Sequence, residues 1–284
     1  MKMRLDRPIA LLLVLLLVSA TVSVLLYSDN ARLDQDGSSA STRLQMNEVL
    51  SKAQMAVQGQ IKKVDALVSN VSMNISTLGL NGTQVRAKLI AALESNAYIL
   101  DIITYDINGM VMAAEPEACR SLEGTNLSAQ ETVVKLLTTK MPVMSEVFSS
   151  TEGETGAVFA APVFDADGQF IGAVSALFSA SALMNGTLPH LLEGTEFAFF
   201  CAQLDGTDIY DTDTAQIGMN LITDYVDYPE VQDIGRRLVN ESTGHGTYSY
   251  LISLGDDTVV DKECYWTTVG SHGITWRLII IHQV

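Results

Sequence analysis

At 284 residues the chain has room for an N-terminal segment and two small domains, since domains mostly run from about 50 to 200 residues. Its net charge of -16 excludes nucleic acid and anionic lipid surfaces as partners, because both need clustered Lys and Arg. Cys119, Cys201 and Cys264 are odd in number, far apart and without metal-ligand spacing, which excludes a disulfide scaffold and a cysteine metal centre.

Lys2, Arg4 and Arg7 precede an uncharged stretch from Pro8 to Tyr27, about the twenty residues needed to cross a bilayer core. The apolar run passes the small-residue site Val18-Ser19-Ala20 and continues to Leu26, which is long for a cleaved signal, so residues 1–28 are expected to form an uncleaved transmembrane anchor. Basic residues before the span and Asp29, Asp34 and Asp36 after it put the N-terminus in the cytoplasm and the body outside the cell membrane. Residues 29–43 are polar and Ser-rich and read as a juxtamembrane tether. From Met46 to Leu78 apolar residues recur at steps of three and four, giving one amphipathic helix within 44–80 whose stripe is buried in its own domain or in a dimer seam. Asn81-Gly82 turns the chain into a second helix over Thr83–Ser95.

One pattern then occurs twice. Tyr98 to Ile107, a turn at Asn108-Gly109, a short strand from Met110 and Gly124-Thr125-Asn126-Leu127 ahead of a helix form the first copy. Phe197 to Leu204, a turn at Asp205-Gly206, a short strand from Thr207 and Gly218-Met219-Asn220-Leu221 ahead of a helix form the second. Further strands are expected at 143–148, 157–164 and 169–178 in the first copy, and at 246–253, 258–269 and 274–282 in the second. Ser128 with Glu131 reads as a capping box opening the helix of the first copy, and the helix of the second lies near 228–239. The fold class is therefore α+β: an N-terminal transmembrane helix, a long amphipathic helix, and two PAS-like modules, 81–190 and 191–284, each with a five-stranded antiparallel sheet and flanking helices.

The long first helix, the tandem modules and the segment from Pro162 to Val174, PVFDADGQFIGAV, resemble the extracytoplasmic double Cache sensor family. The resemblance implies that the membrane-distal module binds a small ligand and the membrane-proximal one relays the change. It also marks two departures. Amino-acid binders of the family carry an Arg-x-Trp-Tyr run, where this chain has Glu131 to Leu137, ETVVKLL, and an aspartate where this chain has Leu177. Amines are disfavoured ligands on that ground, because a buried ammonium without a carboxylate partner is costly. The family's receptors also continue past the last strand into an output domain, whereas this sequence stops at Val284, so the expectation is that a partner receptor or a homodimer carries the signal or that the protein retains a ligand near the cell.

Alternation along the strands points Tyr105, Met112, Ser145, Phe159, Ala161 and Ser175 toward the helices of the distal module as ligand-binding residues. Arg120, in the loop above them, would meet a carboxylate on the ligand. The competing assignment for each is core packing or a solvated loop. His190, His245, His272 and His282 show no zinc spacing, and the acidic runs at 165–168 and 211–213 lack the ligating Glu of a calcium loop, the second reading as a solvated loop. No nucleophile, phosphate or dinucleotide motif occurs, so neither catalysis nor a cofactor or metal is expected. Asn70, Asn74, Asn81, Asn126, Asn185 and Asn240 each open a glycosylation sequon, and the first three fall on one face if the long helix extends that far. The function expected is membrane-anchored extracytoplasmic sensing of a small molecule. The alternative is a structural or adhesive cell-surface glycoprotein that keeps the fold as a scaffold.

Overall fold

The computed structural model describes the backbone of residues 7–149 and 155–284, and side chains from Ser39 onward within those limits. By its contacts the chain divides into Met1–Glu48 and Val49–Val284. The expected anchor at 1–28 lies outside the residues whose side chains are described, and among the described residues no helix is long and apolar enough to cross a membrane. Helix α1 runs from Arg7 to Asn74. It includes residues 29–43, so the segment expected as a tether is helical. That segment holds one Gly and no Pro, and its Ser and Asp residues each cost a helix only about half a kcal/mol.

Within the second unit the apolar stripe of α1 is buried inside the chain, from Leu50, Ala53 and Val57 through Ile61, Val64 and Val68 to Val71. Its polar flank bonds to both sheets. Gln58 Nε2 donates to the Gly270 carbonyl at 2.9 Å while Gly270 N–H donates to Gln58 Oε1 at 3.0 Å, and Ser72 Oγ donates to the Pro162 carbonyl at 2.6 Å. His272 meets Asp65 at 2.9 Å. Helix α2, Thr83–Ser95, has the bounds expected of it.

The first sheet contains β1 (Ile99–Asp106), β2 (Val111–Glu115), β3 (Val143–Met144), β4 (Phe148–Ser149), β5 (Thr155–Phe164) and β6 (Phe170–Phe178) in the order β2-β1-β6-β5-β3, with β4 paired to β5. It has six strands rather than five, because the strand expected at 143–148 is interrupted. Val147 leaves the ladder for the Gln203 side chain, donating to Oε1 at 2.5 Å and accepting from Nε2 at 3.3 Å. Helix α3 spans Glu131–Thr139, and α4 spans Ala180–Asn185. The capping box of Ser128 and Glu131 does not form, since Ser128 N–H is already held by the Asn126 side chain at 2.8 Å and the helix starts only at Glu131.

The second sheet contains β7 (Phe197–Ala202), β8 (Asp208–Asp211), β9 (Gly244–Leu251), β10 (Val259–Ser271) and β11 (Ile274–Gln283), in the order β8-β7-β11-β10-β9. It is antiparallel and five-stranded, as expected. Helix α5, Pro229–Asn240, buries Val231, Ile234 and Leu238 against it.

The repeated pattern has one geometry in both copies. Leu127 N–H donates to Gly109 O at 2.8 Å, and Leu221 N–H donates to Gly206 O at 2.9 Å. Each corner also forms a lone antiparallel bridge back to its hairpin, Met110 with Asn126 and Thr207 with Asn220. Gly109 has φ 77°, and a Cβ there would stand 2.8 Å from the Ser128 nitrogen, so the turn requires glycine both for its conformation and for the approach of the corner.

Candidate functional site

Each sheet carries a cavity on the face turned to its own helix. In the first sheet Asp101, Ile103 and Tyr105 on β1 alternate with Ile102 and Thr104, and β6 sets Leu177, Ser175 and Ala173 beside them in register. The cavity between this face and α3 has a volume of about 80 Å³ and is lined by Asp101, Tyr105, Val133, Val158, Ser175 and Leu177 among others. Tyr105 is 1% exposed and its hydroxyl has no hydrogen-bond partner among the described residues. Burial pushes its phenol well above the ordinary value, so it stands in the wall as a neutral donor.

The residues named from sequence divide between faces. Tyr105 and Ser175 line this cavity together. Phe159 lies on the other face, stacked on Phe178 at 5.3 Å between centroids, and Ala161 shares its parity on β5. From β5 it is Val158 that lines the cavity, so Phe159 and Ala161 fall on the opposite face of the sheet. Met112 is half-buried away from the cavity wall. Ser145 lines a neighbouring cavity with Met144 and Glu146, and its hydroxyl is engaged, donating to Glu146 O at 2.7 Å and accepting from Val158 N at 2.8 Å. Arg120 does sit in the loop over the sheet, in the turn Glu117–Leu122, but its guanidinium is held by Glu115 at 2.8 Å. Glu115 is 1% exposed and also takes Arg86 at 3.2 Å, so this cluster pins the loop to β2.

Leu177 lines the cavity, as its alignment implied, yet its Cα partner on β1 is Asp101, which lines it too. A carboxylate therefore faces this cavity from the adjacent strand. That corrects the argument that an amine would find no acid, because counting along β6 alone does not reach a residue on β1.

The second sheet holds a larger cavity, about 180 Å³, between β8, β9 and α5. Asp208 and Asp211 line it while only 2% and 6% exposed. Asp208 Oδ1 accepts from Tyr210 N at 3.0 Å and Asp211 Oδ1 from Asp213 N at 2.6 Å. Burial raises both above the ordinary carboxylate range, and for Asp208 the charge of Asp211 adds to it. Asp211 was read as part of a solvated loop; it is instead the buried last residue of β8. Tyr225 and Tyr250 line the same cavity with ring centroids 5.3 Å apart, and Tyr228 backs Tyr250 at 4.7 Å. Lys262 places its ammonium 5.3 Å from the Tyr250 ring centre and donates to Ile252 O at 3.3 Å. The sequence signal for this wall was the pair Tyr248 and Tyr250, two apart on one strand face, together with two aspartates three apart at the two ends of another strand. Among the described residues no group of His, Cys, Asp and Glu fits a metal ion.

All six sequon asparagines are exposed. Asn70 and Asn74 share one face of α1, but the helix ends at Asn74, so Asn81 does not extend their stripe.

Residues 59–180 match the family model described as HK/GC/Chemotaxis protein-like, sensor domain. No curated protein matches the sequence. Among solved structures, the chain is similar to an extracellular ligand binding receptor from Desulfohalobium retbaense DSM5692, with TM-score 0.71 and 29% identity over 84% of this chain and 40% of that one. It thus spans less than half the length of that receptor. It shares its fold with the ligand-binding domain of the Pseudomonas fluorescens chemoreceptor CtaA in complex with L-alanine, at TM-score 0.60 and 17% identity over 84% of this chain and 95% of that one. It also shares the fold of the ligand-binding domain of the Campylobacter jejuni chemoreceptor Tlp3 in complex with 4-methylisoleucine, at TM-score 0.63 and 14% identity over 86% of this chain and 91% of that one.

Proposed function

We propose that the protein is a membrane-anchored, outward-facing small-molecule sensor of the double Cache type that catalyses nothing, a reading supported by the sensor-domain match over residues 59–180 and by the fold shared with ligand-binding domains of chemoreceptors. The observation that carries this reading is Tyr105: a buried hydroxyl without a partner among the described residues, in the wall of the distal cavity, costs free energy until a ligand supplies the missing hydrogen bond. Ser175 and Asp101 would take the other polar groups of the ligand. The L-alanine and 4-methylisoleucine bound by the two chemoreceptor domains each carry an amine that an acid in Asp101's position suits. Residues 1–28 anchor the body, and the bound state is passed to a partner receptor or a second copy of the chain.

The test is a thermal shift screen of the whole chain against amino acids, organic acids, purines and sugars, since a ligand of the native state raises the melting temperature by mass action. Tyr105→Phe keeps or slightly raises the melting temperature of the unliganded protein and abolishes most of the ligand-induced shift. A variant that responds to the ligand as the parent does would overturn the assignment. The small distal volume and the six exposed sequons favour a second reading, a glycosylated surface scaffold. It gains if the screen gives no shift and enzymatic deglycosylation lowers the intact mass.

A further inference from the structure

We propose that the cavity of the second sheet is a separate binding site for a small primary ammonium, gripped by Asp208 and Asp211 against the Tyr225 and Tyr250 rings. The pair of carboxyls lies at the bottom of a real cavity and not on a solvated face, with Asp208 2% and Asp211 6% exposed. Two buried carboxyls in the wall of one cavity form half of an ion pair. They carry negative charge at neutral pH only at a desolvation cost that a cation would offset. A second observation points the same way. Tyr248, 8% exposed, lines the cavity, and its hydroxyl makes no hydrogen bond with any described residue. The wall thus offers two carboxyls, an unused hydroxyl and aromatic faces, a set that matches an N–H-bearing cation with a short alkyl body.

The charges around the cavity leave room for such a ligand. Glu196 and Asp213 line it with the buried pair, against the single ammonium of Lys262. Lys262 lies over Tyr250 and bonds to the Ile252 carbonyl, so it does not occupy the carboxyl pair. A volume of about 180 Å³ suits a molecule of a few heavy atoms and excludes a peptide or a folded partner. A quaternary ammonium of similar size presents charge without N–H groups, so it could donate no hydrogen bond to the carboxyls or to Tyr248.

The experiment is calorimetric titration of the whole chain with ethanolamine, putrescine, glycine and tetramethylammonium at pH 6 and pH 8. Ethanolamine or putrescine is expected to bind, at least several-fold more tightly at pH 8, where the carboxyl pair ionises more fully while burial keeps Tyr225, Tyr248 and Tyr250 neutral. Tetramethylammonium is expected to give no heat. Glycine binding as well as ethanolamine would place its carboxylate on Lys262 and still support the ammonium site. Asp211→Asn is expected to abolish binding, and Tyr248→Phe to weaken it several-fold. Tyr105→Phe leaves it unchanged, which separates this site from the distal one. Absence of binding by every primary amine at pH 8 would overturn the proposal, as would unchanged binding by Asp211→Asn or tighter binding of tetramethylammonium. Failure of the distal reading alone shows instead as loss of the Tyr105-dependent response with amine binding intact.

Discussion

Asp211 behaves opposite to a typical salt-bridged carboxylate. Burial raises its carboxyl to about 7, against an ordinary value of about 3.9 in the unfolded chain. The folded protein therefore holds this proton more tightly than the unfolded one. That preference contributes its full stability below about pH 4 and is lost as the pH rises toward 7. The groups facing it are Asp208, Asp213, Glu196 and Lys262. Asp211→Asn is expected to flatten the profile of unfolding free energy between pH 4 and 8 and to stabilise the unliganded protein by about 1–3 kcal/mol at pH 8. Urea titrations across that range that coincide for parent and variant would show that the carboxyl is not strained. Strand alternation identified Tyr105 and Ser175 as neighbours, because both lie within long strands paired in register. It misplaced Phe159 and passed over Asp101 and Asp208, since face and burial depend on bends and on which strand lies alongside.

At the scale of elements, the corner of Gly-x-Asn-Leu ties each hairpin to the chain that leads into the next helix. In the second copy Asn220 carries most of this, its Nδ2 donating to Asp205 O at 2.9 Å and its Oδ1 accepting from Ile222 N at 2.9 Å. Asn220→Ala is expected to cost about 1–2 kcal/mol and to loosen β8, which carries the acid pair. Hydrogen exchange at the β7–β8 amides would check it, and unchanged protection there would count against the role of the corner. These hairpins were legible because a turn that needs positive φ selects glycine, and the selection shows in sequence. The strand at 143–148 was not legible as two pieces. Its interruption depends on Gln203, which is 56 residues further along the chain. The capping box failed for a related reason, as Ser128 was already committed to the corner.

At the scale of the molecule, the two sheets and the helix from Val49 form one compact unit. The α1 stripe is the shared component, with Gln54 and Gln58 bonded to β10 and Ser72 to β5. One cooperative unfolding transition is expected for both sheets. Ile61, fully buried on the stripe, should cost about 2–5 kcal/mol when cut to Ala, and should lower that single transition as a whole. Calorimetry that resolves two transitions, only one of which moves, would show the modules to be energetically independent.

By itself the sequence determined what local chemistry controls: the amphipathic stripe, the glycine turns, the duplication and hence the two-module architecture. These patterns are written in neighbouring residues, where periodicity and turn preference act. The tertiary structure alone decided which cavity holds buried acid and which residues share a wall. Cα pairing of Asp101 with Leu177, the burial of Asp208 and Asp211 beside distant tyrosines, and the capture of Arg120 by Glu115 all arise when separate strands and loops meet. Desolvation and pairing depend on everything that surrounds a group, and no stretch of sequence contains that.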